Sequence, residues 1–292
     1  MGPMAQPSEP ARARPFLKWA GGKGQLLPEL TKRVPASFGA YHEPFVGGGA
    51  LFFALFGLGS LSTACLSDIN PSLIDAYIAV RNHVDEVIVA LRQHRHDERH
   101  YYAVRALKPE LLPLPERGAR TIYLNKTCYN GLHRENRAGQ FNVPFGRYKN
   151  PTICDEENLR ACSRALQRAE VSRRHFSSVL DVARPGDLVY FDPPYHPLSA
   201  TANFTSYDRS GFGEGDQAQL RDVYAELTRR GVKAMLSNSD TPFIRSLYSD
   251  YEISQVHAPR IVNSRASGRG KVPEVIVRNY PAGEWPQGVL SG

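Results

Sequence analysis

The chain has 292 residues, a hydrophobic content of 41% and a mean hydropathy of −0.39, which are typical of a globular protein. No run of about 18 apolar residues occurs, so a transmembrane helix is excluded, and the N-terminus lacks the apolar core of a secretory signal. The formal net charge of +7 favours a polyanionic partner, and four cysteines without a C-x-x-C pair indicate a reduced, cytoplasmic protein without a metal centre.

The first part of the chain alternates strands and helices. The predicted elements are, in order, a disordered tail at 1–14, a glycine-containing loop at 16–23, a helix to Val34, a strand at 41–45, a helix at 50–58, a strand at 62–66 and a helix at 71–93. Asn70 is the predicted N-cap of the last helix, because an amide side chain before Pro71 suits a helix start.

Residues 94–150 interrupt this alternation with a stretch dense in Arg, Lys, His, Asn and Tyr, which indicates an insertion. Helices are predicted at 100–107 and 118–125, and a β-hairpin or ordered loop at 129–149 with its turn at 137–140. Strands and helices then alternate again. The later predictions are helices at 155–169, 215–230 and 242–248, and strands at 171–176, 188–191, 233–237, 251–257 and 274–280. This order predicts a mostly parallel sheet covered by helices.

A glycine-rich corner, EPFVGGG at 43–49, lies between a strand and a helix, as in nucleotide-binding sheets. Asp68 ends the next strand, where a carboxylate can bind both hydroxyls of a ribose. The spacing does not match the G-x-G-x-x-G dinucleotide pattern, so an adenosine cofactor without pyrophosphate is favoured, and S-adenosylmethionine fits. The other interpretation is a tight turn with an N-capping Asp.

The tetrapeptide Asp192-Pro193-Pro194-Tyr195 follows the apolar strand at 188–191. Its prolines remove two backbone donors, so the Asp carboxylate and a Pro carbonyl can together accept hydrogen bonds from a planar amino group. The Tyr ring can stack on the heterocycle that carries this group. Together with an adenosine site, such a corner predicts an N-methyltransferase that works mainly by positioning.

The segment at 129–149 mixes Arg, Asn, Lys and aromatic residues, which can read base edges, bind phosphates and fill the space of an extruded base. A solvated basic loop explains the same composition equally well. A Ser/Thr/Asn-rich loop at 199–210, with Phe204 and Tyr207, is predicted to become ordered on substrate binding. A basic loop at 260–271 is predicted to contact DNA phosphates.

Taken together, six strings resemble those of the Dam-type DNA adenine N6-methyltransferases, the D12 class of the α group. The strings are FLKWAGGK, EPFVGGG, SDIN, YNGLHRENRAGQFNVPFGRYKNP, DPPYHPLSATANFTSY and LSNSD. They occur in the α-group order and span roughly 16–280. The resemblance implies methyl transfer from S-adenosylmethionine to N6 of an adenine that is flipped out of double-stranded DNA, within GATC.

The resemblance also implies roles for individual residues. Catalysis is assigned to Asp192, Pro193, Pro194 and Tyr195. Cofactor binding is assigned to Trp19, Lys23, Phe45, Gly47, Gly49, Asp68 and Asp192. DNA binding is assigned to Lys18, Tyr129, Asn130, Leu132, Arg134, Asn142, Pro144, Arg147 and Tyr148.

The expected architecture is an α/β, Rossmann-like methyltransferase sheet at 15–77 and 151–282. A mainly helical target-recognition domain carrying a β-hairpin is expected at 78–150. The expected partner is double-stranded DNA in the nucleoid, and the expected state is a monomer or weak dimer. A cognate restriction endonuclease is a possible further partner. Rival functions are methylation of another acceptor, such as an RNA adenine, cytosine N4 or a protein glutamine, and DNA binding without catalysis.

Overall fold

The computed structural model describes residues 12–19, 21, 23–136, 138–198, 211–259 and 271–281. The chain forms two compact units. We call residues 21–74 and 168–292 the sheet unit, and residues 1–20 and 75–167 the helical unit. The predicted loop at 199–210 lies outside the described residues, as does the predicted loop at 260–271 except for Lys271, which begins β7.

The described strands of the sheet unit form one seven-stranded sheet in the order β3-β2-β1-β4-β5-β7-β6. Their bounds are β1 Tyr41–Glu43, β2 Ala64–Asp68, β3 Ala169–Arg173, β4 Leu188–Phe191, β5 Lys233–Ser239, β6 Glu252–Pro259 and β7 Lys271–Arg278. Strands β1 to β5 pair in parallel, and β7 runs antiparallel to both β5 and β6. The predicted Rossmann-like α/β sheet is therefore confirmed.

Strand β4 lies at the centre of this sheet, and all four of its residues are buried. Val189 and Phe191 belong to a core cluster with Leu220 and Tyr224 of a covering helix. Leu188 and Tyr190 point to the opposite face and are equally buried. Burial on both faces explains why the sequence here is a continuous apolar run. Since β1, β2 and β4 are parallel neighbours, the residues that follow them meet at one edge of the sheet.

Four helices of the sheet unit were predicted, some with longer bounds: α1 Leu27–Thr31, α2 Ala50–Gly57, α9 Glu214–Arg229 and α10 Pro242–Leu247. A further short helix, α8 Val179–Val182, was not predicted. The predicted single helix at 71–93 is wrong, because it is divided into α3 Pro71–Asn82 and α4 Val84–Arg92. His83 between them has φ −140° and ψ 40°, which is not helical. The predicted N-cap is confirmed, since the Leu73 amide donates to Asn70 Oδ1 at 2.9 Å.

The helical unit contains α4, α5 Glu98–Ala106, α6 Leu114–Thr127 and α7 Glu156–Leu166. It also holds Arg14, at the end of the predicted tail, whose backbone N–H donates to Asn158 Oδ1 at 3.0 Å. The compact unit thus includes chain on both sides of 78–150, and those predicted domain limits stay a prediction. Within the described residues, no helix combines the length and the apolar character needed to cross a bilayer.

Candidate active site

The glycine corner is built as a backbone cradle at the end of β1. Gly47 and Gly49 have φ of 46° and 66°, left-handed values that favour glycine, and Gly49 caps the N-terminus of α2. The Gly47 amide donates to Asp68 Oδ2 at 3.4 Å, while Asp68 Oδ1 accepts from the Asn70 amide at 3.0 Å. The structure therefore brings the predicted Gly47, Gly49 and Asp68 together at one edge of the sheet.

An aromatic and aliphatic surface accompanies this cradle. Phe45 stacks on Phe176 with ring centroids 5.4 Å apart, and Phe212 meets Phe45 edge-on at 5.7 Å. Ile69, directly after Asp68, is 62% exposed and adds an aliphatic side chain beside the cradle. The apolar surface suits a flat ring, and the Asp68 carboxylate suits a pair of hydroxyls. Adenosine has a flat ring and two ribose hydroxyls.

Asp192 at the end of β4 is held by two side chains through the same oxygen. Lys23 Nζ lies 2.8 Å from Asp192 Oδ1, and the Ser237 hydroxyl donates to Oδ1 at 2.8 Å. Tyr190 and Ser237 hydroxyls are 2.9 Å apart, so the chain of hydrogen bonds continues into the core. Both contacts are made to Oδ1, and no described residue donates a hydrogen bond to Oδ2.

Burial dominates the electrostatics of this corner. It raises the pKa of Asp192 above its usual range, against the opposing effects of the Lys23 ammonium and the Ser237 hydroxyl. Burial also raises the pKa of Glu43, at the end of β1, to about 8, and the nearby Asp192 charge adds to this. Tyr41 donates to Glu43 Oε2 at 2.8 Å and acts in the opposite direction. At neutral pH Glu43 is therefore mostly protonated.

The remaining residues of the tetrapeptide are fixed individually. The Pro194 carbonyl accepts from Gln217 Nε2 at 2.9 Å, whereas the Pro193 carbonyl accepts no hydrogen bond from the described residues. The Tyr195 hydroxyl donates to Glu274 Oε2 at 2.9 Å, and Lys23 Nζ lies 4.3 Å from the centre of the Tyr195 ring. Asp192 Oδ2 and the Pro193 carbonyl are thus two acceptors on a rigid corner.

Sequence reasoning missed the residues that hold this corner. Ser237 lies in the LSNSD string on β5, Gln217 on α9, and Glu274 on β7. A signal for Ser237 existed, because a serine within the buried β5 run MLS needs a hydrogen-bond partner. No comparable signal marks Gln217 or Glu274, whose contacts depend on the packing of distant elements.

The predicted hairpin of the helical unit is an ordered antiparallel loop rather than a pair of continuous strands. Isolated bridges join Cys128 to Phe145 and Glu135 to Phe141. Asn136 Oδ1 accepts from the amides of Ala138 and Gln140, both at 3.0 Å, and so closes the turn. Arg137, part of the predicted turn, is not among the described residues.

All nine predicted DNA-binding residues are exposed or half-exposed to solvent. Tyr129 and Leu132 are large hydrophobic side chains at 53% and 42% exposure, and Asn130 has a left-handed φ of 57°. Arg134 Nε donates to Asn142 Oδ1 at 2.6 Å, so these two predicted residues form a pair. The exposed or half-exposed residues are Lys18, Tyr129, Asn130, Leu132, Arg134, Asn142, Pro144, Arg147 and Tyr148.

Trp19, assigned to the cofactor by resemblance, belongs to the helical unit. Its ring stacks on His133, with centroids 4.8 Å apart and planes at 27°. The Lys18 backbone is bound to Asn125 of α6, so the segment before the sheet unit packs on the loop at 129–149. Of the predicted cofactor residues, Lys23, Phe45, Gly47, Gly49, Asp68 and Asp192 lie in the sheet unit.

Comparisons with known proteins agree with this chemistry. Residues 19–261 match the family model of the D12 class N6 adenine-specific DNA methyltransferase. The chain is 41% identical over 275 residues to type II methyltransferase M1.LlaDCHI of Lactococcus lactis subsp. cremoris, covering 91% of this chain and 95% of that protein. It is 40% identical over 286 residues to type II methyltransferase M.MjaIII of Methanocaldococcus jannaschii, with coverages of 91% and 99%. It is 36% identical over 272 residues to the DNA adenine methylase of Escherichia coli (strain K12), with coverages of 92% and 96%.

The family model spans most of the chain, and each of these relatives exceeds 30% identity over nearly its full length. The corner at 192–195 follows β4 and the glycine cradle follows β1, and these two strands are neighbours in the sheet. The chain belongs to the D12 class of N6 adenine-specific DNA methyltransferases.

Proposed function

We propose that this enzyme methylates the adenine of GATC in double-stranded DNA and flips that adenine into the corner at 192–195. S-adenosylmethionine is the methyl donor of the family, and it supplies an activated methyl group when bound. The observation that carries the proposal is a pair of acceptors to which no described residue donates, Asp192 Oδ2 and the Pro193 carbonyl. A planar NH₂ group has two N–H donors, one for each acceptor.

The cofactor assignment rests on the fit of the donor set. Asp68 offers a carboxylate for ribose hydroxyls, Phe45 and Ile69 offer apolar surface for adenine, and Gly47 and Gly49 permit close approach of the backbone. Lys23 holds Asp192 Oδ1, so the ionised carboxylate is aimed by a fixed charge. Trp19 stays a proposed cofactor residue from the resemblance.

Catalysis by the chain's own residues is mainly orientation. Hydrogen bonds from the amino group to Asp192 Oδ2 and the Pro193 carbonyl would favour a pyramidal nitrogen, whose lone pair would be available to an electrophilic methyl group. The Tyr195 ring, anchored through Glu274, provides a face for the flipped base. The methylated nitrogen would lose its proton along the hydrogen bond to Asp192 Oδ2, from which it passes to water, so no general base is needed before the attack.

Readout is assigned to the helical unit. We propose that Lys18, Leu132, Arg134 and Pro144 face bases and that Tyr129 fills space near the flipped adenine. The exposed apolar rings and chains of Tyr129 and Leu132 suit such contacts, because they lose water on entering the duplex. The remaining proposed contacts, to bases or phosphates, are Asn130, Asn142, Arg147 and Tyr148.

Partners and location are proposed from the substrate. The enzyme acts on the nucleoid in the cytoplasm, as a monomer or weak dimer. Relatives called type II methyltransferases and relatives called DNA adenine methylases are both similar to this chain. The first name favours a cognate restriction endonuclease, and the second favours an enzyme that acts alone. The two possibilities can be separated by expressing the neighbouring genes in a host with and without this chain. Survival only in its presence indicates a cognate restriction endonuclease, and survival in both cases indicates an enzyme that acts alone.

Sequencing of modified bases tests the proposal directly. The chain is expressed in a bacterial host that lacks adenine methylation, and genomic DNA is read by single-molecule sequencing. N6-methyladenine in nearly all GATC sites is expected. Methylation confined to another sequence contradicts the GATC proposal, and modification of cytosine contradicts the assignment of the acceptor.

An Arg134→Ala variant is expected to methylate near-cognate sites as well, with a loss of discrimination of roughly 1–3 kcal/mol.

Ser237→Ala is expected to lower kcat by about tenfold, on the scale of one lost hydrogen bond to a charged group. The substitution removes one of two donors to Asp192 Oδ1 and also takes the partner of the Tyr190 hydroxyl. Steady-state kinetics with a GATC duplex measures it. Ser239→Ala, at another buried serine of β5, is the matched control and should keep the wild-type kcat. Equal losses in both variants would indicate a general effect on the strand.

A further inference from the structure

Asn125, on α6, binds the backbone of Lys18 from both sides. The Lys18 amide donates to Asn125 Oδ1 at 2.7 Å, and Asn125 Nδ2 donates to the Lys18 carbonyl at 2.7 Å. The Asn125 side chain is buried, at 5% exposure, so it does not itself face a solvent-exposed ligand. A paired amide of this kind fixes both the position and the orientation of the Lys18 peptide units.

The same amide reaches the loop at 129–149. Asn125 Nδ2 also donates to the Gly131 carbonyl at 3.2 Å, so one side chain joins Lys18 to the turn Tyr129–Gly131. Gly131 has φ 63°, and a Cβ there would lie 2.5 Å from Lys18 Cδ. The Lys18 stem therefore lies directly on this glycine, with no space for a larger residue.

Two further contacts involve the loop at 129–149. Trp19 stacks on His133 at 4.8 Å, and the Tyr129 amide donates to the Pro144 carbonyl at 2.9 Å. These contacts join Lys18 and Trp19 to the loop at 129–149, which also carries Leu132 and Arg134 as exposed side chains. Asn125 is a buried polar residue that hydrogen-bonds to both Lys18 and Gly131.

From these contacts we infer that Asn125 is a specificity-determining positioning residue, which holds Lys18 and the loop at 129–149 as one preformed reading surface. The inference rests on the proposed readout of bases by Lys18 and Arg134. Base recognition requires donors placed to within a fraction of an ångström, because a misaligned bidentate contact loses its preference for the correct base. Ordering the surface before binding also removes an entropic cost of recognition.

A second asparagine provides a matched control. Asn158, on α7, makes the same paired contact with the backbone of Arg14: the Arg14 amide donates to Oδ1 at 3.0 Å, and Nδ2 donates to the Arg14 carbonyl at 3.1 Å. It is buried to the same degree, at 4% exposure. Asn158→Ala therefore removes an equivalent backbone pair at a position that touches none of the proposed reading residues.

The experiment measures kcat/KM for a GATC duplex and for duplexes with one base pair of the site changed. Asn125→Ala is expected to lower the ratio between them about tenfold or more, the scale of one base contact. Asn158→Ala should lower the melting temperature to a similar extent and keep the ratio within about twofold. Equal changes in both variants, or a loss of kcat/KM that is the same for all duplexes, would overturn the inference.

A double-mutant cycle with Lys18→Ala adds a readout that a merely structural role would not change. If Asn125 acts through Lys18, the double variant should discriminate no worse than the poorer single variant, whereas full additivity contradicts the inference. Should Asn125→Ala fail to fold, Gly131→Ala disturbs the same contact from the opposite side and should reduce the ratio likewise. A wild-type enzyme that does not discriminate GATC from altered duplexes would refute the proposed function instead, before any variant is compared.

Discussion

Asn in place of Asp192 is expected to abolish measurable methyl transfer, with a loss of at least about 100-fold in kcat. The amide keeps the size of the carboxylate, but it loses the charge that Lys23 holds at 2.8 Å. Either orientation of the amide directs a donor toward Lys23 and Ser237 or toward the substrate amino group, and each is an unfavourable pairing. Steady-state transfer of a labelled methyl group to a GATC duplex measures the loss.

The free energy of unfolding shows whether a loss of activity in Asp192→Asn is due to a loss of stability. Asp192→Asn leaves the buried Lys23 ammonium without its counter-charge, which is expected to lower the free energy of unfolding by about 3 kcal/mol. The double variant Lys23→Met, Asp192→Asn removes both charges and should recover most of that stability while staying inactive. Recovery of activity together with stability would show that Asp192 is structural rather than catalytic.

Unfolding should depend on pH through Glu43. Burial raises its pKa from 4.5 to about 8, so between these pH values the folded chain binds a proton that the unfolded chain has released. This contribution to stability is complete below pH 4.5 and is lost as the pH rises through 8. Chemical denaturation of the wild type from pH 5 to 9, without cofactor, should show a decline of a few kcal/mol in the free energy of unfolding.

Glu43→Gln isolates this effect, because glutamine is neutral at every pH and retains an acceptor for the Tyr41 hydroxyl. The variant is expected to be less sensitive to pH than the wild type over this range. Glu29, on α1, is the opposite case: hydrogen bonds from Arg33 and Lys32 lower its pKa. Glu29→Gln should therefore keep the wild-type slope. Identical slopes in all three proteins would contradict the assignment of a protonated Glu43.

The sequence predicted the fold well where local signals were strong. The apolar run of β4 and the alternation of strands and helices gave the sheet, and Asn70 before Pro71 gave the start of α3. The break at His83 was not visible, since the apolar pattern continues from α3 into α4 and the non-helical φ of one residue has no strong signal. Shortened ends, as in α7, reflect the weak definition of helix termini in any sequence.

The motif residues of the site could be predicted from the sequence, but the residues that hydrogen-bond to them could not. Asp192 and Lys23 were each assigned to the site, but their ion pair joins residues far apart in the chain. Gln217 and Glu274 reach the tetrapeptide from α9 and β7, which only the folded sheet brings near. Asn125 is similar, because a polar residue inside α6 gives no hint that it binds the Lys18 backbone. Local sequence motifs locate the candidate site residues, whereas long-range packing determines which residues orient them.

The most direct test of the account is one assay of a duplex that contains a single GATC and several other adenines and cytosines. The duplex is incubated with enzyme and methyl-labelled S-adenosylmethionine, then digested and analysed by mass spectrometry with positional mapping. We predict N6-methyladenine at the GATC adenine for the wild type and no label for Asp192→Asn. Label on cytosine, label spread equally over all adenines, or undiminished label with Asp192→Asn would contradict the account.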